Sequence, residues 1–276
     1  MLGKLLKHEF KATARTMLPM FGVVLVLSLL ANLSFTRIAD TDSGALDILF
    51  GLFIVAFFLG LFTMGVMSLV VMIQRFYKNV LGEEGYLTLT LPVNVHEIVW
   101  SKLIVSFVWF LATGLIAMAA VFIAVFTLTS SELGEMFRNM PSFGEMMRMF
   151  FEETGVTPLQ LTGAIAQFAA MIILSSLTAC LHFYAAMALG HSFSNNKVLL
   201  SVVFFVALSF LFQFLSSVLG FVADGLVLIR WGAESGTVWV NTMQELLLSS
   251  TVYTLIEGVI LYLLTTYCLK HRLNLS

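Results

Sequence analysis

Glu257 is the residue whose placement most needs a chemical reason, because it is the only acid inside an apolar span, near the middle of Ser249–Leu269. A carboxylate at that depth costs roughly 2.5–3.5 kcal/mol, and each Leu, Ile or Val of the span offsets only about 0.3–0.6 kcal/mol. The span inserts with little to spare. An acid kept on those terms faces a partner or a wet cavity, where it can carry a proton. The polar candidates on the fourth and fifth spans are His182, Gln167 and Gln213. The competing reading is a protonated carboxyl, hydrogen-bonded between helices and without further role. His182 stands beside Phe183 and Tyr184, and a lone histidine there is read as a packing and hydrogen-bonding residue rather than a metal ligand. No metal site, bound cofactor or catalytic residue is expected in this chain.

A second group of candidate residues lies between two apolar spans, in the stretch from Arg75 to Lys102. Glu83 and Glu84 are flanked by Gly82 and Gly85, which permit an unusual backbone path. The pair reads either as a solvated acidic turn or as a contact for basic groups on a partner. A short helix is expected over Arg75–Leu81, with Gly82 following it in the position where positive φ is favoured. Leu87, Leu89 and Leu91 alternate with Thr88 and Thr90, which reads as a short extended piece with one apolar face. Pro92 bars helix continuation, and Asn94 with Glu97 has capping-box spacing, so the next helix is expected from Val95. Two membrane helices can be joined by a few residues, so a connection of this length with its own caps suggests a docking surface.

The elements that must position these residues follow from composition. With 59% hydrophobic and 11% charged residues over 276 positions, the chain is read as an integral membrane protein in one transmembrane domain, residues 1–276, all-α in class. Six spans are read at about 17–34, 46–73, 95–129, 161–189, 198–221 and 249–269. Met1–Arg15 carries Leu2, Leu5, Leu6 and Phe10 on one helical face and Lys4, Lys7 and Lys11 largely on others, as an interfacial helix does. It lacks a small-residue cleavage site after a short apolar core, so a removable signal peptide is not expected. Trp100 and Lys102 read as interface anchors of the third span. Ser130–Gln160 is an acidic, Met- and Phe-rich amphipathic segment broken by Pro141 and Pro158. It reads as a helix covering the outer end of the bundle, or as an adaptable surface for an apolar ligand.

The fourth span carries Ala166, Ala170, Ser175, Ala179 and Ala186 at helical spacing, which suits close helix approach and the most buried position in the bundle. Val222–Leu248 is interrupted by Asp224, Gly225, Arg230, Gly232 and Gly236 and reads as a short interfacial or re-entrant piece. Cys180 and Cys268 both fall in apolar spans and read as buried thiols rather than a disulfide. Ten of the fourteen Lys and Arg residues fall on one side if both termini are cytoplasmic, leaving Arg37, Arg138, Arg148 and Arg230 outside. That orientation puts the Arg75–Lys102 connection in the cytoplasm. No P-loop, His-Glu-x-x-His or nucleophile elbow is present, so the chain has no visible means of hydrolysing a nucleotide or peptide.

The run Arg75-Phe-Tyr-Lys-Asn-Val-Leu-Gly-Glu-Glu-Gly-Tyr-Leu, followed by Thr90-Leu-Pro-Val, resembles the cytoplasmic connection of bacterial ABC-2 type transporter permeases. The resemblance extends to the plan of an interfacial N-terminal helix, six spans and a broken apolar segment before the sixth. It implies that the connection is a coupling helix. Phe76, Tyr77, Lys78, Gly82, Glu83, Glu84, Gly85 and Tyr86 would then contact a separate ATPase subunit, which holds the ATP and magnesium. It further implies a second permease chain, identical or homologous, residence in a bacterial plasma membrane, and export of a lipid, drug, polysaccharide or antimicrobial peptide. Two other readings come from the residues: a proton-coupled secondary transporter using Glu257, and a non-transporting membrane sensor or scaffold.

Overall fold

The computed structural model describes the backbone of residues 2–38, 44–82, 85, 94–125, 141–193, 196–230 and 236–271. Within these residues the chain is all-helical: α1 Leu2–Ile38, α2 Gly44–Phe76, a π-helical turn Tyr77–Leu81, α3 Val95–Val125, α4 Phe143–Thr154, α5 Pro158–Gly190, α6 Lys197–Arg230 and α7 Gly236–His271. Six of these, all but the turn and α4, are long and apolar enough to cross a membrane. Phe62, Phe122, Phe210 and Phe214 point outward at 66–73% exposure, a surface that suits acyl chains and not water. The protein is a multi-pass membrane protein. The extended piece expected around Leu87–Leu91, the end of the third span at 126–129 and the acidic run 130–140 lie outside the described residues.

The chain divides into two compact units, one formed by 1–75 with 100–140 and the other by 76–99 with 141–276. In the first, Met17, Phe21 and Val24 of α1 pack with Phe57 and Met64 of α2 and Ala120 and Ala124 of α3. Gly60 makes room for Leu27, whose Cδ1 would stand 2.8 Å from a Cβ there. Asn32 Nδ2 donates to the carbonyl of Ile123 at 2.8 Å, and Trp109 Nε1 donates to Thr13 Oγ1 at 2.7 Å. Low numbers meet low numbers along both helices, so α1 and α3 run parallel, as first and third crossings must.

Two expectations fail in this unit. The N-terminal amphipathic segment and the first span are one helix of 37 residues that continues through Pro19. At 1.5 Å per residue it is about 55 Å long, well beyond the ~30 Å hydrocarbon core. Nothing between Arg15 and Met17 stops a helix, and the change of polarity there needs no change of backbone. Lys102 is not a free interface anchor: its ammonium is 5% exposed and paired with the carboxylate of Glu9.

In the second unit α5 packs chiefly on α7 and α6. Thr178 Oγ1 donates to the carbonyl of Thr254 at 3.3 Å, and Gly258 faces the same threonine, whose Oγ1 would lie 2.8 Å from an added Cβ. At the other end Gly190 abuts the backbone of Ser201, where a Cβ would come 2.5 Å from its N and 2.7 Å from its Cα. Only glycine fits so near a neighbouring main chain. The small-residue stripe behaves differently from expectation: Ala186 is buried, but Ala166, Ala170, Ser175 and Ala179 are exposed, and burial concentrates in the last three turns of α5.

Helix α4 and the start of α5 each begin with a capping box, Ser142 with Glu145 and Thr157 with Gln160, and Gly155 at φ 67° closes α4. Pro158 occupies the first turn of α5 rather than breaking an element. The segment read as re-entrant is divided instead between α6, helical to Arg230, and α7, helical from Gly236. A glycine inside a helix costs only about 1 kcal/mol, so isolated glycines such as Gly225 do not end one. Cys180 and Cys268 are free and buried.

Candidate functional site

Helical periodicity brings one face each of α5, α6 and α7 around a cavity of about 1010 Å³. Thr178 and His182 come from α5, Phe205, Ser209 and Phe212 from α6, and Tyr253 and Glu257 from α7. Most of the wall is aromatic or aliphatic. Each of the three helices also contributes polar groups to the wall.

In that wall His182 Nδ1 lies 3.4 Å from Glu257 Oε1, and both side chains are largely buried. The other ring nitrogen, Nε2, is 3.3 Å from Ser209 Oγ. Ser209 has a single hydroxyl proton and donates it to the carbonyl of Phe205 at 2.7 Å. Its oxygen therefore accepts from His182, which assigns a hydrogen to Nε2. Nδ1 is then the ring atom that faces the Glu257 carboxyl group. Phe205 and Phe212 meet the imidazole edge-on at centroid distances of 5.7 and 5.8 Å and fix its plane. Tyr253, one turn before Glu257, donates its hydroxyl to the carbonyl of Phe212 at 2.6 Å and so faces the site with its proton committed.

Of the three polar candidates, His182 contacts Glu257, Gln213 lines the same cavity, and Gln167 lines none of it. Gln167 Nε2 is buried without a hydrogen-bond partner. Ser209 and Tyr253 were not singled out from sequence, although Ser209 lies on one helical face with Phe205 and Phe212. Among the described residues no three His, Cys, Asp or Glu side chains converge as a metal site requires.

The second candidate region, after α2, is built differently from the expected helix with a left-handed glycine. The backbone widens into a π turn, Gly82 N–H closes it on the carbonyl of Tyr77 at 2.7 Å, and Gly82 itself has φ −85°. Its small size matters for another reason, since a Cβ would sit 3.1 Å from the Lys78 carbonyl oxygen. Phe76, expected on a partner-facing surface, is fully buried and stacks on Tyr184. Gly85 is buried as well, and its N–H donates to the Gly82 carbonyl at 2.8 Å. Tyr77 and Lys78 are exposed, with the Tyr77 ring edge-on to His191 at 5.4 Å. Glu83, Glu84 and Tyr86 lie outside the described residues. Burial holds the His191 imidazole below its usual pKa, and its Nδ1 is 2.9 Å from the Met187 carbonyl.

Comparison with protein-family models, with curated proteins and with solved structures returns no match.

Proposed function

We propose that this chain is the membrane subunit of an ATP-binding-cassette exporter of the ABC-2 type, powered by a separate ATPase that docks at the connection after α2. The observation that carries the reading is the stack of Phe76 on Tyr184, which roots that connection in α5 two residues from His182. A push on the exposed Tyr77 and Lys78 is thereby delivered to a helix that lines the cavity. With no nucleotide motif of its own, the chain needs such a rigid contact to use ATP. The proposed arrangement has both termini and the connection in the cytoplasm of a bacterial cell, and a second permease chain beside this one.

The test is purification of the tagged chain from cells that co-express candidate ATPase subunits, followed by hydrolysis assays in nanodiscs. A stoichiometric ATPase whose turnover depends on Tyr77 and Lys78 is the expected result. Transport in ATP-free proteoliposomes driven by a pH gradient alone would sink it in favour of the second reading, proton-coupled transport, which the His182–Glu257 pair supports.

A further inference from the structure

We propose that the cavity between α5, α6 and α7 binds a lipophilic monocation, with Glu257 as its counter-ion. As cargo such a ligand rests on the permease reading, but its binding does not depend on how the permease is driven.

Shape and chemistry set the class. The volume accommodates a drug-sized or larger ligand, and most of the wall offers apolar contact. Phe183 and Phe205 are stacked at 4.6 Å, presenting aromatic surface to the same space. A positive charge gains from aromatic faces and from a carboxylate, whereas an anion gains from neither. Among the described lining residues Glu257 is the single acid, and no Lys or Arg accompanies it. The titratable groups facing it are His182 from α5 and Tyr253 from its own helix; α6 contributes the neutral Ser209 and Gln213. Glu257 is therefore the one carboxyl group that the described lining offers to a cation.

Tetraphenylphosphonium is a suitable probe because it does not titrate, and tetraphenylborate supplies the same shape with opposite charge. Equilibrium dialysis against the purified full chain in detergent is expected to show tetraphenylborate affinity at least tenfold weaker than phosphonium affinity. Glu257→Gln should weaken phosphonium binding tenfold or more. Equal affinity for the two ions overturns the proposal without reference to any variant. Unchanged binding in a monodisperse Glu257→Gln protein overturns it too. None of these readouts involves ATP or a partner subunit, so their failure is distinct from failure of the ATPase reading.

Discussion

Phe76 lies face to face on Tyr184, with ring centroids 3.9 Å apart and planes 8° from parallel. Both rings are fully buried, so the contact is a fixed joint between the end of α2 and the C-terminal part of α5. Removing an aromatic side chain from such a site costs roughly 3–5 kcal/mol in soluble cores. Phe76→Ala should lower the melting temperature in detergent. In the ATPase assay it should reduce stimulated hydrolysis while Tyr77 and Lys78 still retain the partner. Phe76→Tyr should preserve stacking area and most of the coupling. Full stimulation by a folded Phe76→Ala protein would separate the joint from coupling.

The Lys102–Glu9 pair yields a prediction about stability alone. Both groups are largely buried, and the helices they join are distant in sequence. Breaking a buried pair by removing one partner costs about 3–5 kcal/mol, because the other charge is left unpaired, whereas replacing both by apolar groups is often neutral. Lys102→Met and Glu9→Leu should each destabilise the first unit. The double variant should recover much of the loss in a thermal denaturation cycle. Additive losses would mean that the two charges are solvated independently.

Helix positions were largely legible because apolar length and capping signals are local. Val95 begins α3 as Pro92 and Asn94 suggest, and Thr157 with Pro158 begins α5. What sequence could not supply was the relation between helices. That Glu257 needed a partner follows from its cost in lipid, but choosing His182 over Gln167 requires the rotational register of α5 against α7. Helix ends beyond the bilayer were illegible for another reason. Polar residues and single glycines change what a helix touches without breaking it, so α1, α6 and α7 run on where a change of element was expected. The burial of Phe76 was hidden for the same reason as the Lys102–Glu9 pair, since each depends on a contact distant in sequence.

The two glycine contacts are expected to respond differently to alanine. At Gly258 the obstacle is the end of a side chain, Thr178 Oγ1, whereas at Gly190 it includes the backbone of Ser201. Gly258→Ala should destabilise by about 1–3 kcal/mol and be largely rescued by Thr178→Ala. Gly190→Ala should not be rescued by Ser201→Ala, because a main chain cannot be trimmed. Rescue in both cases, measured by thermal unfolding of the four proteins and their parent, would show that α5 and α6 can separate freely at Gly190.

Glu145 provides a pH dependence outside the membrane spans. Hydrogen bonds from the Ser142 backbone and then its side chain hold the carboxyl below the ordinary glutamate value. A depressed carboxylate pKa adds stability that is present above the unfolded value and is lost as pH falls through the folded one. Hydrogen exchange in the first turn of α4 should therefore accelerate, beyond the intrinsic pH effect, as pH drops from neutral through the acid side of 4.5. Ser142→Ala should remove only the smaller, side-chain share of this response, and Glu145→Gln should abolish it. An unchanged response in that variant would assign the effect to other carboxylates.

Orientation is the expectation on which the partner assignment depends. Ten of the fourteen Lys and Arg residues fall on the N-terminal side of the proposed topology, and short basic loops are retained in the cytoplasm. Within the first unit α1 and α3 run parallel, and within the second α5 and α7 run parallel with α6 opposed, as successive crossings demand. Lys78 is exposed after α2, and Glu152 is exposed on α4, on opposite sides of the bilayer in this topology. Because Cys180 and Cys268 are buried, single cysteines at these positions can be read against a low background. In intact cells an impermeant maleimide should label Glu152→Cys and reach Lys78→Cys only after the membrane is opened. The reverse pattern would put the connection outside the cell, where no ATP-driven subunit could reach it.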